Sequence, residues 1–551
     1  MPAPLRPHTE LTTHSVTNQA PSLEGVNLFA IDAALQDGLK TAGGASHAAR
    51  LSAFGAKCGA AETIEWSRQA HETPPKLQSF DRYGHRLDEV EFHPAYHALM
   101  ALGLDEGVSA GAWTAQNAGH ALHAVQMILM SQADPGVTCP MSMTYAVVPA
   151  LDASPKVADE WRPRVTAGSY DPRFIPATEK SGATMGMAMT EKQGGSDVRA
   201  NTTRAEPIGG DEYILTGHKW FCSAPMSDAF LTLAYTDEGI TCLLVPRWRP
   251  DGTRNAIHIM RLKDKMGDKS NASSEIEYHG AWAQRVGEPG RGVRTIIDMV
   301  QHTRFDCVLG STGGMRAALV QALWHTGHRR AFQKSLIDQP AMRRVLTDLI
   351  VEQEAATALA FRIAGSLDSA PKDKREAAFT RLATPVAKYW ICKRQPGFVY
   401  EALECLGGAG YVEDGPMPKL FRQSPLNAIW EGSGNVIALD VLRAIEREPE
   451  SLEAVRAELA AHAHSNPHYD AHLRKLETWL KPGALHEGTA RAFVGDLALA
   501  LQAAALKSSV DGFIFEAFCA LRLDPEARSL IYGASPAAVN EQMIIERAVW
   551  F

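Results

Sequence analysis

The run Phe421 to Asn435 reads Phe-Arg-Gln-Ser-Pro-Leu-Asn-Ala-Ile-Trp-Glu-Gly-Ser-Gly-Asn, and it holds one acid in a setting suited to proton chemistry. Pro425 cannot sit inside a helix, so the helix expected over 415–422 stops near Ser424. The apolar pair Ile429-Trp430 precedes Glu431, and Gly432-Ser433-Gly434 follows it. Beyond Asn435, apolar residues recur at helical spacing through Val436, Ile437, Leu439, Val441 and Leu442. Glu431 therefore lies just ahead of a helix N-terminus, whose free amides can hold an anion or a cofactor oxygen. A carboxylate in an apolar cleft can act as a base.

Two further runs are equipped to meet a flat ring. In Met187-Ala-Met189-Thr190-Glu-Lys-Gln-Gly-Gly195-Ser196-Asp197, a strand enters a loop with two glycines. Glycines let backbone approach a ring closely, and Thr or Ser can satisfy its heteroatoms. The second run, Gly217-His-Lys-Trp-Phe221-Cys222-Ser223, follows about thirty residues later. Taken alone, the first run reads equally as an ordinary hairpin loop or a ring-binding loop, and the plain explanation of the second is a core strand.

Other chemistries are poorly served. His93 and His97 stand at a metal-compatible spacing but lack a third ligand with its own spacing. His462, His464, His468 and His472 are close in sequence, yet Pro467 interrupts any common helix face, so a solvated cluster is expected and no metal site. The eight cysteines form no CxxC pair, which reads as a reduced, cytoplasmic protein. There is no GxGxxG, GxxxxGK[ST] or HExxH, so any dinucleotide needs another kind of fold. No apolar run is long enough to span a membrane, and the start Met1-Pro-Ala-Pro-Leu-Arg-Pro lacks a signal-peptide core. A net charge of −8 gives no overall attraction to nucleic acid or acidic membranes.

The elements that must position these residues fall into blocks. With 551 residues the chain holds several domains. Residues 1–45 read as a polar arm and 46–181 as Ala-rich helices. Residues 182–290 read as a compact antiparallel β domain, with strands expected at 212–215, 229–236, 241–245, 256–260 and 275–279. Residues 291–445 read as a four-helix bundle with a polar connection over 366–377. Residues 446–551 read as an extra helical segment, entered through a hinge at 446–451. This last segment carries 10 Lys/Arg against 15 Asp/Glu, so composition gives it no basic footprint.

Set together, the runs resemble the acyl-CoA dehydrogenase superfamily. Its active-site loop reads Ile-aromatic-Glu-Gly followed by Thr or Ser, its flavin loop Met-Thr-Glu-Pro-(Gly/Ala)-Gly-Ser-Asp, and its ring-covering strand Gly-x-Lys-x-Trp-Ile-Thr. Here Lys192 and Gln193 replace the Pro and one small residue of the flavin loop, and Phe221-Cys222-Ser223 stand at the cover. Leu262 to Gly267 and Val286 to Gly292 resemble the superfamily's closing β segments. Arg329-Arg-Ala-Phe332 is similar to its Arg-x-x-Phe-Gly, and Glu404 to Tyr411 to its Gln-x-x-Gly-Gly-x-Gly-Tyr, with Glu in place of Gln. The runs 189–197, 217–221, 303–307 and 429–435 look like the AidB-type branch, the flavoproteins of the adaptive response to DNA alkylation.

The resemblance implies a mainly α fold with a central β domain, a C-terminal bundle and extra C-terminal helices. It implies a homotetramer binding FAD through Met187, Met189, Thr190, Gly195, Ser196, Phe221, Cys222 and Ser223. The loop residues Ile429, Trp430, Gly432 and Asn435 belong to the same implied site. Arg329, Gly407 and Gly408 are implied at the FAD phosphates, with Arg329 often reaching a neighbouring subunit. Glu431 is implied as the base that takes the α-proton of an acyl-CoA. Some members carry that Glu on the first bundle helix, at a position that falls near Thr303, which is no acid. Two readings stay open. In one, the chain is an acyl-CoA dehydrogenase of weak activity that passes electrons to a protein or to oxygen. In the other, it binds double-stranded DNA, with Arg443 as the DNA-facing residue, and Trp430 narrows the acyl site.

Overall fold

The computed structural model describes residues 11–509 and 512–551, so residues 1–10 of the expected arm, including the run examined for a leader, lie outside the described residues. A helical layer opens the chain: α1 (Ala33–Thr41), α2 (Ala48–Cys58) and α3 (Ala61–Glu72), then α4 (Pro94–Asp105), α5 (Gly111–Thr114), α6 (Gly119–Ala133), α7 (Pro135–Ala146), α8 (Val148–Leu151) and α9 (Pro155–Val165). Helix α6 is buried without interruption from Gly119 to Ser131, as its largely apolar and small residues require, with His120, His123 and Gln126 buried among them. Asp134 caps α7, accepting from the amides of Gly136 at 3.0 Å and Val137 at 3.2 Å.

This layer is not wholly helical as its pattern suggests. Strands β1 (Lys76–Phe80) and β2 (Arg86–Glu91) form an antiparallel hairpin between α3 and α4. Its turn is built by Asp81, whose carboxylate accepts from the amides of Tyr83 and His85. The hairpin docks on the central sheet, where the amide of Ile259 donates to Asp88 Oδ1 at 2.8 Å.

The sheet comprises β3 (Met185–Ala188), β4 (Arg204–Gly209), β5 (Glu212–Ser223), β6 (Ala229–Thr236), β7 (Gly239–Pro246), β8 (Ile257–Leu262) and β9 (Ser273–Val286). Strands run in the order β3-β6-β4-β5-β9-β7, with β8 on β9, and a β6–β7 pairing closes the path on itself. The sheet is mixed, which corrects the antiparallel expectation: β3 lies parallel to β6, with Met185 opposite Ala229, and β4 meets β6 in the parallel sense. Strand β5 is longer than expected because it joins the run at 212–215 to the run ending at Ser223.

The bundle is led by α10 (Gly292–His328), a helix of 37 residues. A two-residue hairpin, β10 (Arg330–Ala331) and β11 (Lys334–Ser335), precedes α11 (Pro340–Ser369) and α12 (Lys374–Glu404). The polar connection is shorter than 366–377, because Asp373 caps α12 by accepting from the amide of Arg375 at 2.8 Å. Helices α10 and α12 run parallel, since Cys392 donates to the Cys307 carbonyl and Gly314 lies against Gln395 with no room for a Cβ. After α13 (Met417–Gln423) comes α14 (Gly434–Arg447), and α15 (Pro449–Ala460) follows at once, so the hinge shrinks to Glu448.

Helices α16 (Pro467–Trp479), α17 (Ala490–Ser508), α18 (Gly512–Phe518) and α19 (Glu541–Ala548) complete the chain. They pack on the bundle, and one apolar core runs through the first helices, the bundle and these last ones. Arg522 is buried between Asp348 and Glu352 of α11. Among the described residues, no helix is long and apolar enough to cross a membrane.

Candidate active site

Pro425 ends the preceding helix as expected, and α13 stops at Gln423 with Ser424 as its cap. The loop then passes through Leu426–Ala428 to Ser433, which caps α14 through backbone alone. Glu431 sits in this loop with φ +58°, and Gly432 with φ +108°. Few side chains adopt the left-handed region, so this backbone is held by its surroundings.

Those surroundings are specific. The Thr303 hydroxyl donates to Glu431 Oε2 at 2.9 Å, which places the loop acid beside the α10 position that carries a threonine and no acid. Arg304 Nε donates to the Glu431 carbonyl at 3.1 Å, and its Nη1 lies 2.7 Å from Asp440 Oδ2. Lys388 of α12 donates to the carbonyls of Trp430, at 2.8 Å, and Gly432. The Trp430 indole donates to Asn427 Oδ1 at 2.9 Å, fixing its ring. Burial pushes the Glu431 carboxyl above the ordinary range, while Thr303, Arg304 and Lys388 act in the opposite sense.

The β3 and β5 ends meet the loop. Met187 lies in an apolar cluster with Cys139 and Ala224, against which Met189 and Trp430 also pack. The Thr190 carbonyl accepts from the Trp220 amide at 2.8 Å, joining the exits of the two strands. Gly195 lies so close to Thr190 that a Cβ would come 2.7 Å from its hydroxyl, and Ser196 is exposed. Ser223 Oγ lies 3.2 Å from Ser273 Oγ and near Cys139, whose thiol burial pushes up to about 12. Phe221 is 50% exposed and Ile429 60%. Cys222 turns into the sheet core, so only its backbone is left to face a ligand.

Behind the flavin-loop and cover runs lies a bond that sequence reading missed. Glu191 and Lys219 are fully buried and 2.8 Å apart. The same carboxylate accepts from both the amide and the hydroxyl of Thr202 and of Thr203. Burial opposes its charge, and the Lys219 ammonium with these donors outweighs burial, bringing it down to about 2. Lys388, Arg304 and Asp440 were missed as well. Their only signal is charge at helical positions whose neighbours are apolar.

Other candidates lie elsewhere. Arg329 caps the far end of α10, its guanidinium donating to the Asn18 carbonyl at 2.6 Å. At 1.5 Å per residue it stands about 39 Å along the helix from Thr303. Gly407 and Gly408 are exposed beyond the end of α12, on the same side as Arg329. Asn435 is exposed and accepts from Arg491 at 3.3 Å. Arg443 is 53% exposed, 3.6 Å from Asp440. His93 caps α4, His97 bonds Tyr170, and His472 bonds the Asp496 carbonyl.

Met189 and Trp430 pack on one apolar cluster, while Phe221 and Ile429 are exposed apolar side chains of the strand exit and the loop. With the hydroxyls of Thr190 and Ser223, these residue types suit a flat heteroaromatic ring. The partly buried carboxylate of Glu431 directly follows Trp430 in the loop.

Comparison with known proteins places the chain in a family. Residues 18–172 match the adaptive response protein AidB N-terminal domain. Residues 186–281 and 290–446 match the acyl-CoA dehydrogenase middle and C-terminal domains. The chain is 42% identical over 475 residues to the putative acyl-CoA dehydrogenase AidB of Escherichia coli, covering 86% of this chain and 88% of that protein. The structure of Caenorhabditis elegans ACDH-11 in complex with C11-CoA superposes with a TM-score of 0.83 at 27% identity, covering 98% of this chain and 93% of that one. An acyl-CoA dehydrogenase from Bacillus anthracis, complexed with FAD, shares the fold at a TM-score of 0.63 and 17% identity, over 77% and 80% of the two chains.

Proposed function

Because this chain belongs to the acyl-CoA dehydrogenase family, in the branch of AidB, we propose that it is a flavoprotein removing hydrogen from the α and β carbons of an acyl-CoA thioester, with Glu431 as the base. The observation that carries this reading is the partly buried Glu431 carboxylate, bonded to Thr303 and next to the tethered Trp430. Members of the family bind FAD, which when bound accepts the hydride from the β carbon. Met187, Met189, Thr190, Gly195, Ser196, Phe221, Ser223 and the backbone of Cys222 are the residues we assign to its ring. Ile429, Trp430, Gly432 and Asn435 close the same site from the loop.

Glu431 takes the α-proton, and its raised pKa suits it to hold that proton. The Thr303 hydroxyl orients the carboxylate. The Glu431 amide, which has no acceptor among the described residues, is free to polarise the thioester carbonyl.

Arg329, Gly407 and Gly408 are too far along the bundle to share a cofactor with the Glu431 of their own chain. This supports an assembly, of the homotetramer kind, in which they serve the FAD phosphates of another copy.

The test is anaerobic reduction of the yellow protein by a panel of acyl-CoAs, with Glu431→Gln alongside. Bleaching near 450 nm that the variant loses supports the reading; no bleaching by any thioester, while dithionite still reduces the flavin, ends it.

A second reading rests on Trp430, whose ring is tethered to Asn427 next to the base and, on this reading, narrows the acyl site. On it the chain binds duplex DNA through a surface that includes the half-exposed Arg443, and dehydrogenation is secondary.

A further inference from the structure

Lys388 lies in the middle of α12 and is 1% exposed. A buried ammonium usually faces a carboxylate. Among the described residues, no carboxylate lies within 4.0 Å of this one. Its donors go instead to the carbonyls of Trp430 and Gly432, on either side of Glu431. Arg304 takes the carbonyl between them, and Asp440 anchors that guanidinium. Three successive carbonyls therefore face two cations, one from each of two parallel bundle helices.

The peptides here are trans, so each captured carbonyl turns the amide of its own plane the opposite way. The amides of Glu431, Gly432 and Ser433 consequently point away from the cations, and among the described residues none of them has an acceptor. The same capture holds Glu431 at φ +58°, a conformation that a residue with a Cβ does not keep unaided.

We propose that Lys388 is a positioning residue, whose ammonium bonds the carbonyls flanking Glu431 and fixes the left-handed backbone that aims the acid and its amide at the substrate. The substrate clause rests on the dehydrogenase reading; the clamp itself does not.

Its charge also reaches the acid. Thr303, Arg304 and Cys307 of α10, Lys388 of α12 and Cys139 of α7 are the groups that face Glu431. Removing the ammonium takes away one influence that favours the ionised carboxylate, so the acid limb of the pH profile moves upward.

The experiment compares wild type, Lys388→Met and Lys388→Arg, each loaded with FAD. In a crystal structure of Lys388→Met, Glu431 is expected to leave the positive-φ region and to lose its bond to Thr303. Flavin reduction by the best thioester is expected to fall about a hundredfold, the effect of a small misplacement of reacting groups, with its acid limb shifted up. Lys388→Arg restores most of the rate. Glu431 keeping its φ and its Thr303 bond in Lys388→Met overturns the proposal, and so does a displaced loop with an unchanged rate. If Lys388→Met does not fold, Lys388→Gln, which keeps amide donors but no charge, decides by the same structure. If no thioester reduces the wild type, the dehydrogenase reading falls, and the crystallographic comparison still decides the clamp.

Discussion

The hydroxyl of Thr303 and the carboxylate of Glu431 are 128 residues apart in the chain and 2.9 Å apart in space. The donor favours the ionised acid, whereas burial favours the protonated one. A base must be ionised, so flavin reduction is lost as pH falls through the raised pKa of Glu431. Thr303→Val removes the donor, and the half-maximal pH is expected to rise by about one unit, because a hydrogen bond to a charged group is worth about 1.5–3 kcal/mol and one unit about 1.4 kcal/mol. Thr303→Ser leaves the profile in place. Stopped-flow reduction across a pH series reads both.

Glu431→Gln keeps the loop's shape and removes the base. The rate of flavin reduction by a reactive thioester is expected to fall about a thousandfold, within the range for a lost general base, with the FAD content unchanged. A rate within a factor of three of wild type shows that the proton goes elsewhere.

The run around Glu431 was legible because Pro425, an apolar pair and Gly-Ser-Gly mark a break between two helices, and α14 begins at Gly434, two residues before the apolar recurrence that starts at Val436. Strand β6 falls on 229–236 as read, since its β-branched and aromatic residues stand between clear turns. Three things were not legible. The hairpin of β1 and β2 is too short for its alternation to stand out among Ala-rich helices. The parallel pairing of Met185 with Ala229 joins segments far apart in the chain, and no local pattern records it. Lys388 reads as one more solvated lysine, because nothing in its neighbours tells that its partners are carbonyls of a loop more than forty residues on.

Glu191 and Lys219 give a prediction about stability. The Glu191 carboxyl is held near 2, below the ordinary value of about 4.3, so its stabilising effect is complete above that value and is lost as pH falls toward 2. Glu191→Gln leaves the buried Lys219 without its anion and is expected to cost about 3 kcal/mol. Urea unfolding at pH 7 measures that loss, and the variant's stability then falls less steeply than that of wild type between pH 5 and 3. An unchanged midpoint at pH 7 counts against the role given to this pair.

The second reading of function makes its own prediction. If duplex DNA lies against Arg443, then Arg443→Ala weakens binding across sequences and lowers the magnitude of the salt slope by about one. Gel-shift titrations over a salt series measure this, with flavin absorbance confirming equal FAD loading. Identical slopes for variant and wild type remove Arg443 from the DNA-facing surface.

Asp134 does more than cap α7. Its carboxylate also accepts from Ser67 of α3 at 2.9 Å, from Ser270 of the loop before β9 at 2.6 Å, and from Lys419 of α13 at 2.8 Å. The first helices, the sheet and the bundle thus share one buried acid. Such a junction makes unfolding cooperative across all three, and it sets a rule for recombination: a chimera that takes the sheet from a relative must bring a donor for Asp134 with it, or leave a buried charge short of a partner.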